Sequence, residues 1–199
     1  MTEVVPEEPA KLAEVVRAVQ GLYARKDRAH DLDHALRVRA WGLKLAAEEG
    51  GNDVIIELAA VLHDIGRESA IEKTHAASSA GLAATILQKC GYAPDVIAAI
   101  KAAIVCHSRE AGQEPGSLEA QILYDADKLD FVGPVGIARL FILAGTRGWP
   151  LWGENSAEQF YRERICHYRE HLFTAAARRY FDPLFAYMED YWAALKDQT

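Results

Sequence analysis

The sequence contains little cysteine and fewer basic than acidic residues. Its three cysteines, Cys90, Cys106 and Cys166, have no paired-motif spacing, so they predict reduced thiols rather than a disulfide framework. The 22 basic residues are outnumbered by 29 acidic ones, and the formal net charge is -7. Binding of a nucleic-acid polymer needs clustered Lys and Arg and is therefore not expected. Binding of a small phosphorylated substrate is compatible with the negative net charge, since a local cationic pocket or a bound metal outweighs a diffuse negative field.

Membrane and secretory signals are lacking as well. No segment approaches the ~18 to 20 consecutive apolar residues that a membrane-spanning helix needs. The N-terminal residues are acidic where a secretory signal would be basic and then apolar. We therefore expect a cytoplasmic protein with no membrane partner.

The apolar residues that are present follow a helical period. Half of the 199 residues are hydrophobic, which is enough for a proper core without disulfides. They recur at spacings of three and four, whereas the alternation typical of strands is rare. The segment 54–66 is apolar around nearly its whole circumference, which predicts a central buried helix. We predict an all-α helical bundle forming a single domain over residues 1–199. Two C-terminal helices at 156–196, broken near Asp182-Pro183, pack on the rest.

The doublet His63-Asp64 lies near the end of this apolar segment. A buried imidazole and carboxylate cost several kcal/mol unless they are paired or bound to a cation. A divalent metal removes that cost, because neutral imidazole and carboxylate are both ligands for first-row ions. A His-Asp pair that satisfies itself and a neighbouring helix is the alternative.

A second polar group in apolar surroundings is the segment 125–130. Its acids Asp125, Asp127 and Asp130 repel one another within six helical residues unless a cation intervenes. Asp127 and Asp130 share a helix face at a spacing of three, whereas Asp125 points elsewhere. A solvated acidic face is the alternative. Lys128 either neutralises this patch or contacts a substrate phosphate.

In order and separation these residues resemble the signature of the HD-domain superfamily of metal-dependent phosphohydrolases, H…HD…D. The match covers about residues 29–145 and includes HALRV, VLHDIG and DADKLD. The resemblance implies that one divalent metal is bound by His34, His63, Asp64 and Asp127. Asp127 is preferred as the last ligand because a basic and an apolar residue follow it, and Asp125 stays the alternative. The donor types suit Mn, Fe, Co, Ni, Zn or Mg, with Mn favoured.

The same resemblance implies roles for residues around this set. His75 and His107 occupy the places where some relatives hold a second metal or a phosphate; for each, a helix cap or a partly exposed position is the alternative. Glu68 directly follows HDIG, where an acid positions the attacking water in some relatives. Catalytic roles are thus assigned to Asp64, Lys128 and Glu68. Substrate contacts are assigned to Arg37, Arg67, His75, His107, Lys128, Asp130 and Arg139.

Several of the remaining residues have simpler interpretations. Arg37 could pair with a metal-ligating acid instead of contacting substrate, and Arg139 could form a surface salt bridge. The loop 149–152 could cover a pocket or stack a base, although packing is preferred. His167 and His171 have the i,i+4 spacing of a metal pair, but packing or a surface position is the better interpretation.

The activity implied by the resemblance is hydrolysis of a nucleotide, either a triphosphate with release of pyrophosphate or a monophosphate. A bound metal lowers the pKa of water and polarises a phosphoryl oxygen. A phosphodiesterase acting on a cyclic nucleotide or dinucleotide is one alternative, disfavoured because the GYP extension is missing. A non-catalytic metal or ligand sensor is another, disfavoured because the four ligand positions are intact. The expected partner is a small phosphorylated molecule, and a homodimer is possible.

Overall fold

The structure is a computed structural model that describes residues 8–24, 26, 28–67, 75–108 and 112–198. Within these ranges the chain forms α-helices and a 3₁₀ helix at Ile165–His171, and no β-strand. The predicted all-α fold is therefore confirmed. The α-helices are α1 (Glu8–Tyr23), α2 (Leu32–Glu49), α3 (Asp53–Leu62), α4 (His75–Lys89), α5 (Pro94–Cys106), α6 (Leu118–Leu129), α7 (Gly133–Arg147), α8 (Ala157–Glu163) and α9 (Ala175–Lys196).

Polar side chains determine where several helices begin. Asp31, Asn52, Ser117 and Thr174 precede α2, α3, α6 and α9, and each accepts a hydrogen bond from a backbone N–H in the first turn. These bonds satisfy donors that have no partner within the helix. Helix α7 ends at Gly148, whose φ of 66° is a left-handed conformation that glycine adopts without steric cost.

Helix α3 lies at the centre of the molecule. It packs against α1, α2, α4, α5 and α6, and its residues Leu58–Leu62 are all buried. The predicted central helix is thus present, but it ends at Leu62, and the residues 63–66 form a buried turn instead of its last turn. The turn passes close to α4, because a Cβ at Gly66 would lie 2.4 Å from the backbone nitrogen of Ser79.

The C-terminal helix α9 packs against α2, α6 and α7. We predicted a break near Asp182-Pro183, and this is wrong, since α9 continues through Pro183. A proline inside a helix costs about 3 kcal/mol through the lost hydrogen bond and the steric clash. Burial of Phe181, Met188 and Trp192 on both sides of the proline offsets that cost. That the whole chain forms one domain stays a prediction.

The state of the cysteines and the length of the apolar helices can be compared with the sequence analysis. The three cysteines are free and half-buried. No single helix in the described ranges is long and apolar enough to cross a membrane; α6 and α7 meet that criterion only as a pair bent by 74°.

Candidate metal centre

Side chains from α2, α6 and the turn after α3 converge in the protein interior. The Nε2 atoms of His34 and His63 lie 3.2 Å apart, and both side chains are fully buried. Asp127 Oδ1 lies 3.4 Å from His34 Nε2 and 3.9 Å from His63 Nε2. Asp64 Oδ2 lies 3.9 Å and 3.7 Å from the same two nitrogens. The structure therefore brings the four expected metal ligands together.

The outer nitrogen of each imidazole is held by a hydrogen-bond acceptor. His63 Nδ1 lies 2.7 Å from the carbonyl oxygen of Ala60, which can only accept, so the proton is on Nδ1. His34 Nδ1 lies 2.8 Å from Asp130 Oδ2 and donates to it in the same way. Each Nε2 is left with a lone pair directed at the cluster. Two lone pairs 3.2 Å apart with no proton between them repel each other, and a cation between them removes that repulsion.

The charge states of the four side chains also suit a cation. Burial lowers the pKa of His34 to about 3 and lowers the pKa of His63, so both rings are neutral at neutral pH. Burial raises the pKa of both aspartates, but nearby charge reverses this: Arg67 brings the pKa of Asp64 well below its usual value, and Lys128 does so for Asp127. Two neutral imidazoles and two carboxylates are a donor set for divalent ions.

Asp64 also connects this cluster to a second pair of histidines. His75 opens α4 and His107 directly follows α5, and their Nε2 atoms lie 3.2 Å apart. Asp64 Oδ1 is 3.6 Å and 3.5 Å from these nitrogens, and within the described ranges this buried atom accepts no hydrogen bond. His63, Asp64 and His107 thus form a further group suited to a cation. The alternative that His75 and His107 are partly exposed is wrong, since both are buried.

Asp130 lies behind the cluster rather than in contact with open space. Its carboxylate accepts from His34 Nδ1 and from Arg37 Nε at 2.8 Å, and Arg139 Nη1 lies 3.1 Å away. The expectation that Asp130 contacts substrate is therefore not supported, because the buried carboxylate is surrounded by these three side chains. Asp130 follows α6 with helical backbone angles, and it lies on the same side as Asp127, as predicted, since both contact the His34 ring. Arg37 forms an ion pair, but with Asp130 and not with one of the four expected ligands, and it does not line the cleft described below.

Asp125 is directed away from the cluster. It accepts hydrogen bonds from the backbone nitrogens of Phe173 and Thr174 at 3.0 Å and 2.8 Å and from the Thr174 hydroxyl at 2.8 Å. These bonds tie α6 to the start of α9. Of the two aspartates considered for the last ligand, the structure places Asp127 in the cluster.

A cleft of about 380 Å³ opens over this cluster. Among the residues that the structure describes, five basic and three acidic side chains line it, an excess of positive charge in a protein of net charge -7. The basic ones are Arg67, Lys128, Arg139, Arg147 and Arg164, and the acidic ones are Asp64, Asp127 and Glu163. Aromatic side chains supply the apolar part of the lining, namely Tyr124, Phe131, Phe160 and Tyr168.

Lys128 is held at the boundary between the cluster and the cleft. Its ammonium group donates to Asp127 Oδ2 at 2.6 Å and to the carbonyl oxygen of His107 at 3.2 Å. It also lies over the Tyr124 ring, 4.5 Å from the centroid. Burial opposes the charge, but the carboxylate of Asp127 more than compensates and raises the pKa of Lys128, which therefore stays protonated.

The model of the HD domain family matches residues 31–132. This chain belongs to the HD domain family. The HD domain protein is 30% identical over 172 residues to the uncharacterized protein YpgQ of Bacillus subtilis, a match that covers 84% of each chain. It is 34% identical over 122 residues to ribonuclease Y of a Nitratiruptor species, which covers 61% of this chain and 22% of that enzyme.

Solved structures show the same fold. The crystal structure of B. subtilis YpgQ in complex with ADP superposes with a TM-score of 0.79 at 23% identity, covering 96% of each chain. The crystal structure of a predicted HD superfamily hydrolase from an uncultured Thermotogales bacterium superposes with a TM-score of 0.70 at 27% identity, covering 94% of this chain and 92% of the other. The HD domain protein thus has the fold of metal-dependent phosphohydrolases.

The other predicted site residues of this HD domain protein differ in their placement. Arg67 lines the cleft 3.5 Å from Asp64 Oδ2. Arg139 also lines it and is not on the surface, but its guanidinium donates to the backbone carbonyls of Ala29 and Asp130. Glu68 lies outside the described residues.

The loop 149–152 has a packing role, as preferred from the sequence, and the two C-terminal histidines form no metal pair. Trp149 packs on Phe160 and Trp152 packs on Trp192, and neither lines the cleft. His167 and His171 lie in a 3₁₀ helix with three residues per turn, so residues four apart do not share a face. His171 lines the cleft, whereas His167 is exposed beside Glu170.

Sequence analysis missed Arg147, Arg164 and Tyr168, which line the same cleft. All three follow the segment matched by the family model. They belong to no motif, and only the packing of the C-terminal segment places them opposite the cluster.

Proposed function

We propose that this HD domain protein is a metal-dependent phosphohydrolase whose substrate is a nucleotide, in the first place a nucleoside triphosphate cleaved with release of pyrophosphate. The observation that supports it is the pair of proton-free Nε2 atoms of His34 and His63, facing each other between two carboxylates beneath a positively charged cleft. The structural relative YpgQ binds ADP in its crystal structure, which supports a nucleotide as the ligand here.

The metal is held by His34, His63, Asp64 and Asp127. When bound, such a metal lowers the pKa of water and polarises a phosphoryl oxygen. Two nitrogen and two oxygen donors suit Mn, Fe, Co, Ni, Zn or Mg, and Mn²⁺ is the ion that we favour. His75 and His107 border the same cleft and contact either the phosphate or a second metal ion.

Other side chains bind the phosphate and stabilise the charge that develops on it. Lys128 is fixed by Asp127 and stays protonated, so it presents an ammonium group beside the reacting phosphoryl oxygen. Arg67 adds a second cation next to Asp64. The aromatic part of the lining, with Tyr124 and Tyr168, provides apolar surface for the nucleoside.

The test is a panel of nucleoside mono-, di- and triphosphates, a cyclic nucleotide and a cyclic dinucleotide, assayed with Mn²⁺. Phosphate and pyrophosphate are separated by ion-exchange chromatography. Asp64→Asn removes a ligand, and Asp190→Asn on the exposed face of α9 is the matched control. We expect pyrophosphate release by the wild type and the control, and a loss of about a hundredfold or more in Asp64→Asn.

Two outcomes would contradict the proposal. Cleavage of only the cyclic substrates would assign a phosphodiesterase instead. A panel without turnover, from protein that still binds Mn²⁺, would refute the nucleotide assignment and favour a sensor.

A further inference from the structure

The far wall of the cleft carries a group of stacked arginines that has no role in the proposed metal chemistry. Arg139 lies over the Phe131 ring at 4.4 Å, Arg164 over the Phe160 ring at 5.6 Å, and Arg147 over the Trp149 ring at 5.0 Å. All three arginines line the cleft.

The three rings form one continuous cluster. The Phe160 ring centroid is 5.7 Å from that of Phe131 and 5.5 Å from that of Trp149. Each of the three guanidinium groups therefore lies over a ring of one aromatic cluster. We call the two exposed members, Arg147 and Arg164, the arginine rim.

We propose that the arginine rim binds the distal phosphates of the substrate, which depart as pyrophosphate, while the metal centre binds the phosphoryl group that is attacked. This inference rests on the proposed function and assigns the substrate class within it, a nucleotide with three phosphates. In the arginine rim a ring lies against a face of each guanidinium, whereas phosphate oxygens bind guanidinium groups at their N–H edges, so ring contact and phosphate binding are compatible.

The charge distribution favours a polyanion at this wall. Glu163 is the acid that lines the cleft beside the arginine rim, since the other two lining acids belong to the metal cluster. Among the described lining residues, Arg147 and Arg164 outnumber it, whereas Arg139 is already paired with Asp130. Tyr168, which lines the cleft as well, has a pKa that burial raises to about 12, so its hydroxyl stays a hydrogen-bond donor.

Support by an aromatic ring reduces the cost of ordering the arginines when the ligand binds. A long side chain that becomes fixed only on binding loses rotational entropy. Guanidinium groups already stacked on Trp149 and Phe160 lose less of it. The arginine rim is therefore suited to discriminate between substrates by their number of phosphates.

The test compares Arg147→Gln, Arg164→Gln and the double variant with the wild type, all loaded with Mn²⁺. Arg162→Gln is the matched control, because Arg162 is exposed two residues away, pairs with Glu158 and does not line this cleft. Steady-state kinetics give KM and kcat for a nucleoside triphosphate and for the monophosphate. Calorimetry gives the affinity for inorganic pyrophosphate, and circular dichroism establishes that each variant is folded.

We expect each single variant to raise KM for the triphosphate and to weaken pyrophosphate binding by about 10- to 100-fold, as expected for a charge-assisted hydrogen bond, with more in the double variant. The KM and kcat for the monophosphate should change little in these variants. Arg162→Gln should have the KM, kcat and pyrophosphate affinity of the wild type. Equal weakening for mono- and triphosphate would overturn the proposal and indicate that the arginines stack on the base.

Failure of this proposal differs from failure of the proposed function. If the wild type hydrolyses triphosphates and the variants keep its KM and its pyrophosphate affinity, the arginine rim has no such role while the enzyme assignment stands. If the wild type hydrolyses no nucleotide, the enzyme assignment fails, and the pyrophosphate affinity of the folded variants still tests the rim.

Discussion

Replacing Asp130 by asparagine tests whether a buried carboxylate outside the metal cluster controls that cluster. Asp130 is 1% exposed, and it accepts from His34 Nδ1 at 2.8 Å and from Arg37 at 2.8 Å and 3.1 Å. Arg139, itself 3% exposed, lies 3.1 Å from it. Asparagine keeps the size of the side chain but has one acceptor oxygen and no charge.

Two effects follow from these contacts. The orientation of His34 and its Nδ1 proton depend on Asp130, and loss of such a supporting bond weakens metal affinity by about 10- to 100-fold. Arg139 loses its charged partner in the interior, which costs about 3 kcal/mol, the lower end for breaking a buried ion pair, because asparagine retains one acceptor. Arg37 adds little, since its partly exposed side chain is hydrated in either case.

The two effects are measured separately. Urea unfolding in EDTA gives the stability of the metal-free protein, and calorimetry with Mn²⁺ gives the affinity of the folded protein. Asp190→Asn serves again as the control. If Asp130→Asn loses stability but binds Mn²⁺ as tightly as the wild type, the argument that Asp130 orients His34 is refuted. If both quantities are unchanged, the ion-pair argument is refuted too.

Three further predictions concern the same region. Removal of metal with EDTA should lower Tm, and Mn²⁺ at a hundred times its Kd should restore about 2.7 kcal/mol of stability; a Tm that does not respond to metal would contradict a metal site. Asp125→Asn should cost about 2 kcal/mol in urea unfolding, through its bonds to the start of α9, without changing metal affinity; a loss of metal binding would make Asp125 a ligand. Lys128→Met should lower kcat by about a hundredfold while Mn²⁺ still binds in calorimetry; an unchanged kcat would remove Lys128 from catalysis.

The spacing of the motifs predicts which side chains form the metal cluster, but it does not predict the path of the backbone around them. His34, His63, Asp64 and Asp127 were assigned from their order in the sequence, and the fold places them together. Helix α3 ends before the doublet, and the turn that follows passes close to α4 at Gly66, which is a tertiary contact. No periodicity within one helix contains that information.

Two other differences have the same cause. Pro183 predicts a helix break locally, and the packing of α9 overrides it. The arginine rim was not predicted, because Arg147 and Arg164 belong to no motif. Each lies over a ring close to it in sequence, and only the tertiary fold brings both into the lining of one cleft with the metal cluster. Residues whose role depends on a neighbour far along the sequence cannot be found by spacing alone.

The position of the arginine rim along the chain has an evolutionary consequence. The family match ends at residue 132, and the 122-residue similarity to ribonuclease Y shows that part of this sequence also occurs within a much longer enzyme. The arginines that line the far wall all come after that match. Catalytic chemistry and substrate selectivity would then be encoded by consecutive stretches of the chain. We expect the C-terminal stretch to diverge between relatives with different substrates while the segment that holds the metal ligands changes little.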